Sequence, residues 1–355
     1  MTTWSDIEQA QRLGRPITDV TIVGLDGTGR HIDTLVASNV SWEGAVLTHS
    51  HLKHVSFVDC DLRGADFRGA VMSCCSFTHC QLDGSLWDGA SLEQTAITQG
   101  SAAGSQWRGA SIALSTLTQA SLVRADFSTA SLHRSVIAQC DITGLSFAGA
   151  SLDLVVMPDA DFRTLTLAGM KAFACVFRAA NFSAMDLSGL SLQRCLMESA
   201  DFTGTCLRGA DLREANAHQA VFMSCDMRDV QASNTLFLES KWTDVDASSL
   251  ICEGALFQSA VMVRVRMHAA RATGTVWDHA MLDDVDLTGA DLRYARFDHA
   301  SAQGLGFRDA NLSHGSHHNT HFITVDLHGS RQTGVRGTSP ARLVAESRSL
   351  SLESH

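Results

Sequence analysis

Every fifth residue from Ile32 to Leu327 falls on one register, and 60 consecutive units run without a break in phase. The column reads Leu47, Leu52, Phe57, Leu62, Phe67, Met72, Phe77, Leu82, Trp87, Leu92, and later Phe177, Phe182, Leu187, Leu192, Met197, Phe202. Fifteen of the sixteen Phe and five of the six Trp lie on it, so the column marks a buried stripe. A period this short excludes an ordinary globular arrangement of helices and sheets. It requires a solenoid, in which each coil contacts only its neighbours and the length of 355 residues makes one elongated domain.

The position two before each central residue is small or compact: Ala65, Ala70, Cys75, Cys80, Ser85, Ala90, Ala110, Ser115. Large and small side chains must alternate along a close-packed interior, which tolerates neither voids nor overlap. Gly64, Gly69, Gly84 and Gly89 close their units, where a tight corner suits glycine. Asp61, Asp66, Asp161, Asp211 and Asp291 stand just before the central residue, a position expected to be solvated.

Units such as Ala65-Asp66-Phe67-Arg68-Gly69, Ala125-Asp126-Phe127-Ser128-Thr129, Ala210-Asp211-Leu212-Arg213-Glu214 and Ala290-Asp291-Leu292-Arg293-Tyr294 resemble the A(D/N)LXX motif of the pentapeptide repeat family. The resemblance extends over about five sixths of the chain. It implies an all-β fold, a right-handed quadrilateral parallel β-helix with four pentapeptides to a coil, hence about 15 coils here. Residues 20 apart then stack on one wall. Phe162, Phe182, Phe202, Phe222 and Trp242 form an aromatic core column under that rule. Phe67, Trp87, Trp107, Phe127 and Phe147 form a second, while the wall through Leu52, Met72, Leu92, Ile112, Leu132 and Leu152 has no aromatic residue. Strand spacing of about 4.8 Å brings successive rings into stacking range.

An open solenoid needs caps, because exposed edge strands recruit other chains. The expected layout is an N-terminal cap over residues 1–30, the repeat β-helix over 31–330, and a tail or short helix over 331–355. Ser5-Asp6-Ile7-Glu8 reads as a capping box opening a short helix that Gly14 closes, with Pro16 beyond and extended chain leading into the first coil. At the other end the register fails at Gln332, and Ser339-Pro340 opens a helix through Leu343, Val344 and Leu350. That helix docks on the last coil, joins a second copy as a homodimer, or stays disordered.

No signal peptide or membrane span is visible, which points to a cytoplasmic, bacterial protein that allows signal-less export. Seven of the ten Cys take the small inward slot and read as core thiols rather than disulfides. Histidines and carboxylates cluster late in the chain: Asp278, Asp298 and His318 form one expected exposed ladder, and His279, His299 and Asn319 its neighbour. Such a patch suits a borderline metal, but no compact ligand motif accompanies it, so no metal and no cofactor is expected. His317 takes a central inward position near the end of the repeat. Gly24-Leu25-Asp26-Gly27-Thr28-Gly29 lacks the Lys and the strand–helix setting of a phosphate loop. No catalytic constellation is present, and a regular coil offers no cleft, so the chain reads as no enzyme.

The expected function is a non-enzymatic protein-interaction scaffold that uses the flat walls or the ends of the coil. The resemblance also reaches accessory or effector proteins of bacterial type VI and other secretion systems, with similar length and no signal peptide. The alternative, carried by the same resemblance, is a DNA mimic that binds DNA gyrase or topoisomerase and protects it from quinolones. Charge weighs against that alternative. Duplex DNA carries about one charge per 1.7 Å, whereas the whole chain has a net charge of −11 and residues 101–200 balance at zero. The partner is therefore expected to be a protein, not a nucleic acid or a membrane.

Overall fold

The computed structural model describes residues 3–352, with side chains described through Ser347. It is an all-β parallel solenoid of about 16 turns with two short helices, the right-handed quadrilateral β-helix of pentapeptide repeats. The chain forms two compact units, 1–180 and 181–355.

In the first unit every pairing has a 20-residue register: Leu52 lies beside Met72, Met72 beside Leu92, and Ile112 beside Leu132. Strands of three residues alternate with turns, and the central side chains point inward; Phe67, Trp87, Trp107 and Phe127 are fully buried. Phe67 and Trp87 stack at 4.2 Å, Trp87 and Trp107 at 4.4 Å, and Trp107 and Phe127 at 5.2 Å. Four of the five central tryptophans share a device. The indole N–H of Trp87 and of Trp107 donates to the hydroxyl two residues earlier, Ser85 and Ser105, at 2.7 Å. Each serine donates onward to a carbonyl, Leu82 or Ala102, at 2.6 Å. Trp42 has Val40 at that position, and its buried N–H has no partner among the described residues.

The N-terminal helix α1 (Trp4–Arg12) starts two residues earlier than the sequence pattern indicates. Thr3, not Ser5, is the N-cap, and the Asp6 carboxylate accepts the Thr3 N–H at 2.7 Å and its hydroxyl at 2.8 Å. The earlier start places Ile7 in the core and lets the Trp4 indole donate to the Asp26 carbonyl. The lead-in is itself coil, since Ile17 pairs with Ala37, Thr21 with Ser41 and Asp26 with Val46.

The second unit continues the same lattice internally, with Phe182, Phe202 and Phe222 stacked at 5.2 and 5.1 Å and Trp242 tilted onto Phe222 at 4.7 Å. Phe162, in the first unit, packs edge-on against Phe177 at 5.3 Å. Coil pairing runs past Gln332 to Arg336, beside Ser316, because the backbone ladder does not require an apolar central residue. Helix α2 (Pro340–Leu352) follows; the side chain of Leu350 lies outside the described residues.

Two positions behave differently from the expectation of simple solvation or glycine preference. The last residue of the pentapeptide is left-handed whether or not it is glycine, as at Leu114 (φ 53°) and Arg134 (φ 46°). The Asp before the central residue caps its own turn. Asp61 Oδ1 accepts the Arg63 N–H at 3.2 Å, and Arg63 closes a second contact to Asp61 Oδ2 at 2.6 Å. The same Asp-x-Arg clasp recurs at Asp66, Asp161, Asp211, Asp226 and Asp291. The Arg63 hydrogen bond is the main cause holding the Asp61 carboxyl below the usual carboxylate range. These clasps are surface pairs, each worth about 0–1 kcal/mol.

Candidate functional site: an apolar sheet face and a C-terminal polar cluster

Six strands of the second unit (Val221–Met223, Lys241–Thr243, Val261–Arg266, Met281–Asp286, Ser301–Gly306 and His321–Asp326) form one parallel sheet. The last four are six residues long and in register, Met281 beside Ser301 and Ser301 beside His321. Side chains alternate across a strand, so the first and third residues face outward. Here those positions carry apolar groups: Met223, Met281 and Ile323 are 43, 53 and 49 % exposed. Met281 and Ile323, with Val261 and Val263, line a shallow cavity of about 370 Å³, rimmed by Asp283, Gln303 and His321. In the first unit the comparable outward column is mostly polar, with stacked His31 and His51 (4.6 Å), then Val71, Ser91, Ser111, Ser131 and Ser151, so its exposed apolar residues Val71 and Phe173 stand isolated.

The second feature is the cluster under α2. Asp298 and His318, expected on an exposed ladder, are each 2 % exposed, because α2 folds back over them. Asp298 accepts the Ser316 hydroxyl at 2.6 Å, the His318 N–H at 3.0 Å and the Arg342 guanidinium at 2.6 Å. Burial pushes its carboxyl up, but these three donors outweigh that and leave it lowered. Glu346, one turn along α2, meets His318 Nε2 at 3.2 Å, His299 Nε2 at 3.4 Å and Arg342 Nε at 2.8 Å. Asp278 is engaged elsewhere, by Arg296 at 2.6 Å, and His279 stacks on His299 at 4.9 Å. The ladders thus contribute Asp298, His299 and His318 to one cluster, while Asp278 and His279 stay outside it. Sequence reading missed Glu346 and Arg342, which the helical spacing of i and i+4 places on one face of α2.

His299, His318 and Glu346 have ligand atoms within 4.8 Å of one another. The protonation pattern does not suit a metal. The Ser339 N–H donates to His318 Nδ1 at 3.1 Å, so the neutral ring carries its proton on Nε2, the atom that faces Glu346. A metal at Nε2 would need the opposite tautomer, and the Arg342 cation already occupies the carboxylate. The cluster is a hydrogen-bonded clasp that seats α2 on its own coil.

His317 sits at a central position, its Nε2 without a partner among the described residues, edge-on to Phe297 at 5.5 Å and Phe322 at 5.8 Å. Burial lowers its pKa.

Eight copies of a repeat described as pentapeptide repeats match residues 37–69, 175–213, 207–237 and 278–304. The chain belongs to the pentapeptide repeat family. No curated protein matches it. Among solved structures it is similar to HetL, a pentapeptide repeat protein involved in heterocyst differentiation regulation in the cyanobacterium Nostoc sp. strain PCC 7120. The identity is 16 %, with 94 % of this chain and 97 % of that chain covered and a TM-score of 0.23. Full-length QnrB1, a plasmid-mediated fluoroquinolone resistance protein, is 16 % identical over 67 % of this chain and 97 % of its own, with a TM-score of 0.27. The A-module of the mannuronan C-5 epimerase AlgE6 from Azotobacter vinelandii is 10 % identical over 95 and 94 %, with a TM-score of 0.21. Among the described residues, no helix of this pentapeptide repeat protein is long and apolar enough to cross a membrane.

Proposed function

We propose that this pentapeptide repeat protein is a non-enzymatic, cytoplasmic scaffold of bacterial origin whose protein partner docks on the apolar sheet face of the second unit. The observation that carries this reading is the apolar run of exposed Met281 and Ile323 with half-buried Val261 and Val263 on a backbone held rigid by continuous ladders. Apolar side chains on such a face have no folding role, whereas interface cores are enriched in Met and depleted of charge. The narrower form of the proposal is a secretion-associated (type VI) accessory or effector protein, which a spike or effector gene beside this one would support.

A polyanionic DNA mimic aimed at gyrase is less well supported. Carboxylates that would stand for phosphates, such as Asp61, Asp211 and Asp226, are each clasped by an Arg two residues on. Dimerisation through the C-terminal segment is also less favoured, since α2 spends Arg342 and Glu346 on its own coil.

The test is affinity capture from native cells with three baits: the natural protein, Met281→Asp, and Ser111→Asp on the polar face of the first unit. A partner kept by the natural protein and Ser111→Asp but lost from Met281→Asp upholds the proposal. Equal loss or equal retention in both variants refutes it, and recovery of gyrase subunits independent of Met281 turns the reading to mimicry.

A further inference from the structure

The repeat register contains a single proline, Pro158, and the ladder of the first unit breaks beside it. The preceding coil runs extended at Val136–Ala138. After Val156, which still bridges Val136, the chain turns at Pro158-Asp159, and the counterpart of Ala138 is a proline with no N–H to give the ladder. Proline fixes its own φ and favours the first corner of such a turn, so the two coils no longer match. The bonds that lattice symmetry would form are missing. In the coil before, Gln119 N–H donates to the Ala138 carbonyl and Leu122 N–H to the Asp141 carbonyl. Their counterparts at Gln139 and Ile142, and the N–H of Asp161, have no partner among the described residues.

The mismatch opens a cleft of about 390 Å³. Its floor is apolar, made by Ile137, Ile142, Met157 and Ala160, with the Cys140 thiol among them. Cys140 and Ala160 occupy the small inward slot, yet both are partly exposed. The rim is acidic. Asp141 is held by Thr143 at 2.7 Å and Asp161 by Arg163 at 2.7 Å, while the Asp159 carboxylate has no hydrogen-bond partner among the described residues.

We propose that this cleft binds a short extended peptide segment with an apolar residue beside a lysine or arginine. The peptide backbone matches the unpaired groups, since its carbonyls accept from Gln139 and Ile142. Its apolar side chain covers the floor, and its cation meets Asp159, which leaves no buried group unpaired. The site is separate from the sheet face of the second unit and stands or falls independently of it.

Cys140 is a native reporter, since Cys60, Cys75, Cys80 and Cys175 of the same unit are buried and the partly exposed Cys74 lies outside the cleft as an internal control. The full chain is alkylated with iodoacetamide at mildly alkaline pH, and each cysteine is followed by mass spectrometry. The probes are acetyl-Leu-Lys-Leu-Lys-amide and the acidic acetyl-Leu-Glu-Leu-Glu-amide. Cys140 is expected to react faster than Cys60, and the basic peptide to slow it about fivefold at about four times its Kd, since only the free fraction reacts. Asp159→Lys, an exposed change that leaves the core intact, is expected to abolish that protection. Cys140 reacting no faster than Cys60 would show a closed cleft and overturn the proposal. So would absent protection at millimolar peptide, equal protection by the acidic peptide, or full protection in Asp159→Lys.

Discussion

Trp42 offers a test of whether hydroxyls in the small inward slot are structural partners of tryptophan or chance occupants. Four central tryptophans donate to Ser85, Ser105, Ser240 or Thr275, two residues earlier, at 2.7 to 2.8 Å. Trp42 faces Val40 there and buries its N–H unpaired. An unsatisfied buried donor costs about 1–3 kcal/mol. Val40→Thr keeps the branched shape, so it adds no cavity term, and its hydroxyl must itself be satisfied to avoid a new penalty. The turn before Val40 is of the type in which Thr95 and Ser115 donate to the carbonyl two residues back, Glu93 at 3.3 Å and Ala113 at 2.8 Å. The corresponding acceptor is the Ser38 carbonyl. The expected net gain is about 1–2 kcal/mol, the recovered donor less the residual cost of burying one satisfied hydroxyl. Ser105→Ala is the mirror experiment and should lose about 1–3 kcal/mol by stranding the Trp107 N–H. Both are read by urea denaturation and by native-state hydrogen exchange of the indole protons, since a solenoid coil senses mainly its neighbours. If Val40→Thr destabilises while Ser105→Ala is neutral, the hydroxyl–indole pairing contributes nothing and the reasoning fails.

Phe202→Ala removes a ring stacked between Phe182 and Phe222, and should cost about 3–5 kcal/mol in urea melts; a loss below about 1 kcal/mol contradicts a tightly packed column. Burial depresses the His317 pKa in the fold. The neutral ring therefore contributes its full stability above the unfolded value near 6.5, and that contribution fades as pH falls below it. His317→Leu should raise the urea midpoint and flatten its decline between about pH 6.5 and 5, and an unchanged decline would assign that acid sensitivity to other groups. Arg342→Ala leaves the Asp298 carboxylate without its cation, so amides of residues 341–347 should lose exchange protection while the coil at 281–306 keeps its own. Protection unchanged in α2 would mean that the Glu346–His318 contact alone seats the helix.

Much of this architecture is legible in the linear chain because the five-residue column acts on every coil at once. Phe67, Trp87, Trp107 and Phe127 stack wherever four units close a turn, whatever the outward residues do. The clasp of Asp66 by Arg68 was equally present in the sequence, but a carboxylate facing outward reads as solvated unless its turn geometry is known. Glu346 was beyond reach for another reason. It meets His318 across 28 residues, through a helix whose docking depends on Arg342 finding a buried Asp298, a contact without a periodic signature.

In a lattice of near-identical units, a residue that obeys the rule carries information about folding and almost none about function. Outward Asp residues mostly serve their own turns, as Asp61 and Asp66 do, so function must be sought where the rule is broken at a cost. Met281 and Ile323 gather apolar surface with Val261 and Val263, where the first unit has mostly His and Ser and only isolated Val71 and Phe173. His317 holds an imidazole where the lattice wants Leu or Phe, and Pro158 forfeits ladder bonds that the coil before it makes. Val40 breaks the rule too, yet it leaves neither a cavity nor an exposed surface. Its replacement should therefore stabilise the chain without disturbing any partner. Replacing Pro158 with Ala should restore the missing bonds, close the cleft and abolish peptide protection of Cys140. A variant more stable than the natural chain and silent towards the peptide is the outcome that separates a site from a flaw.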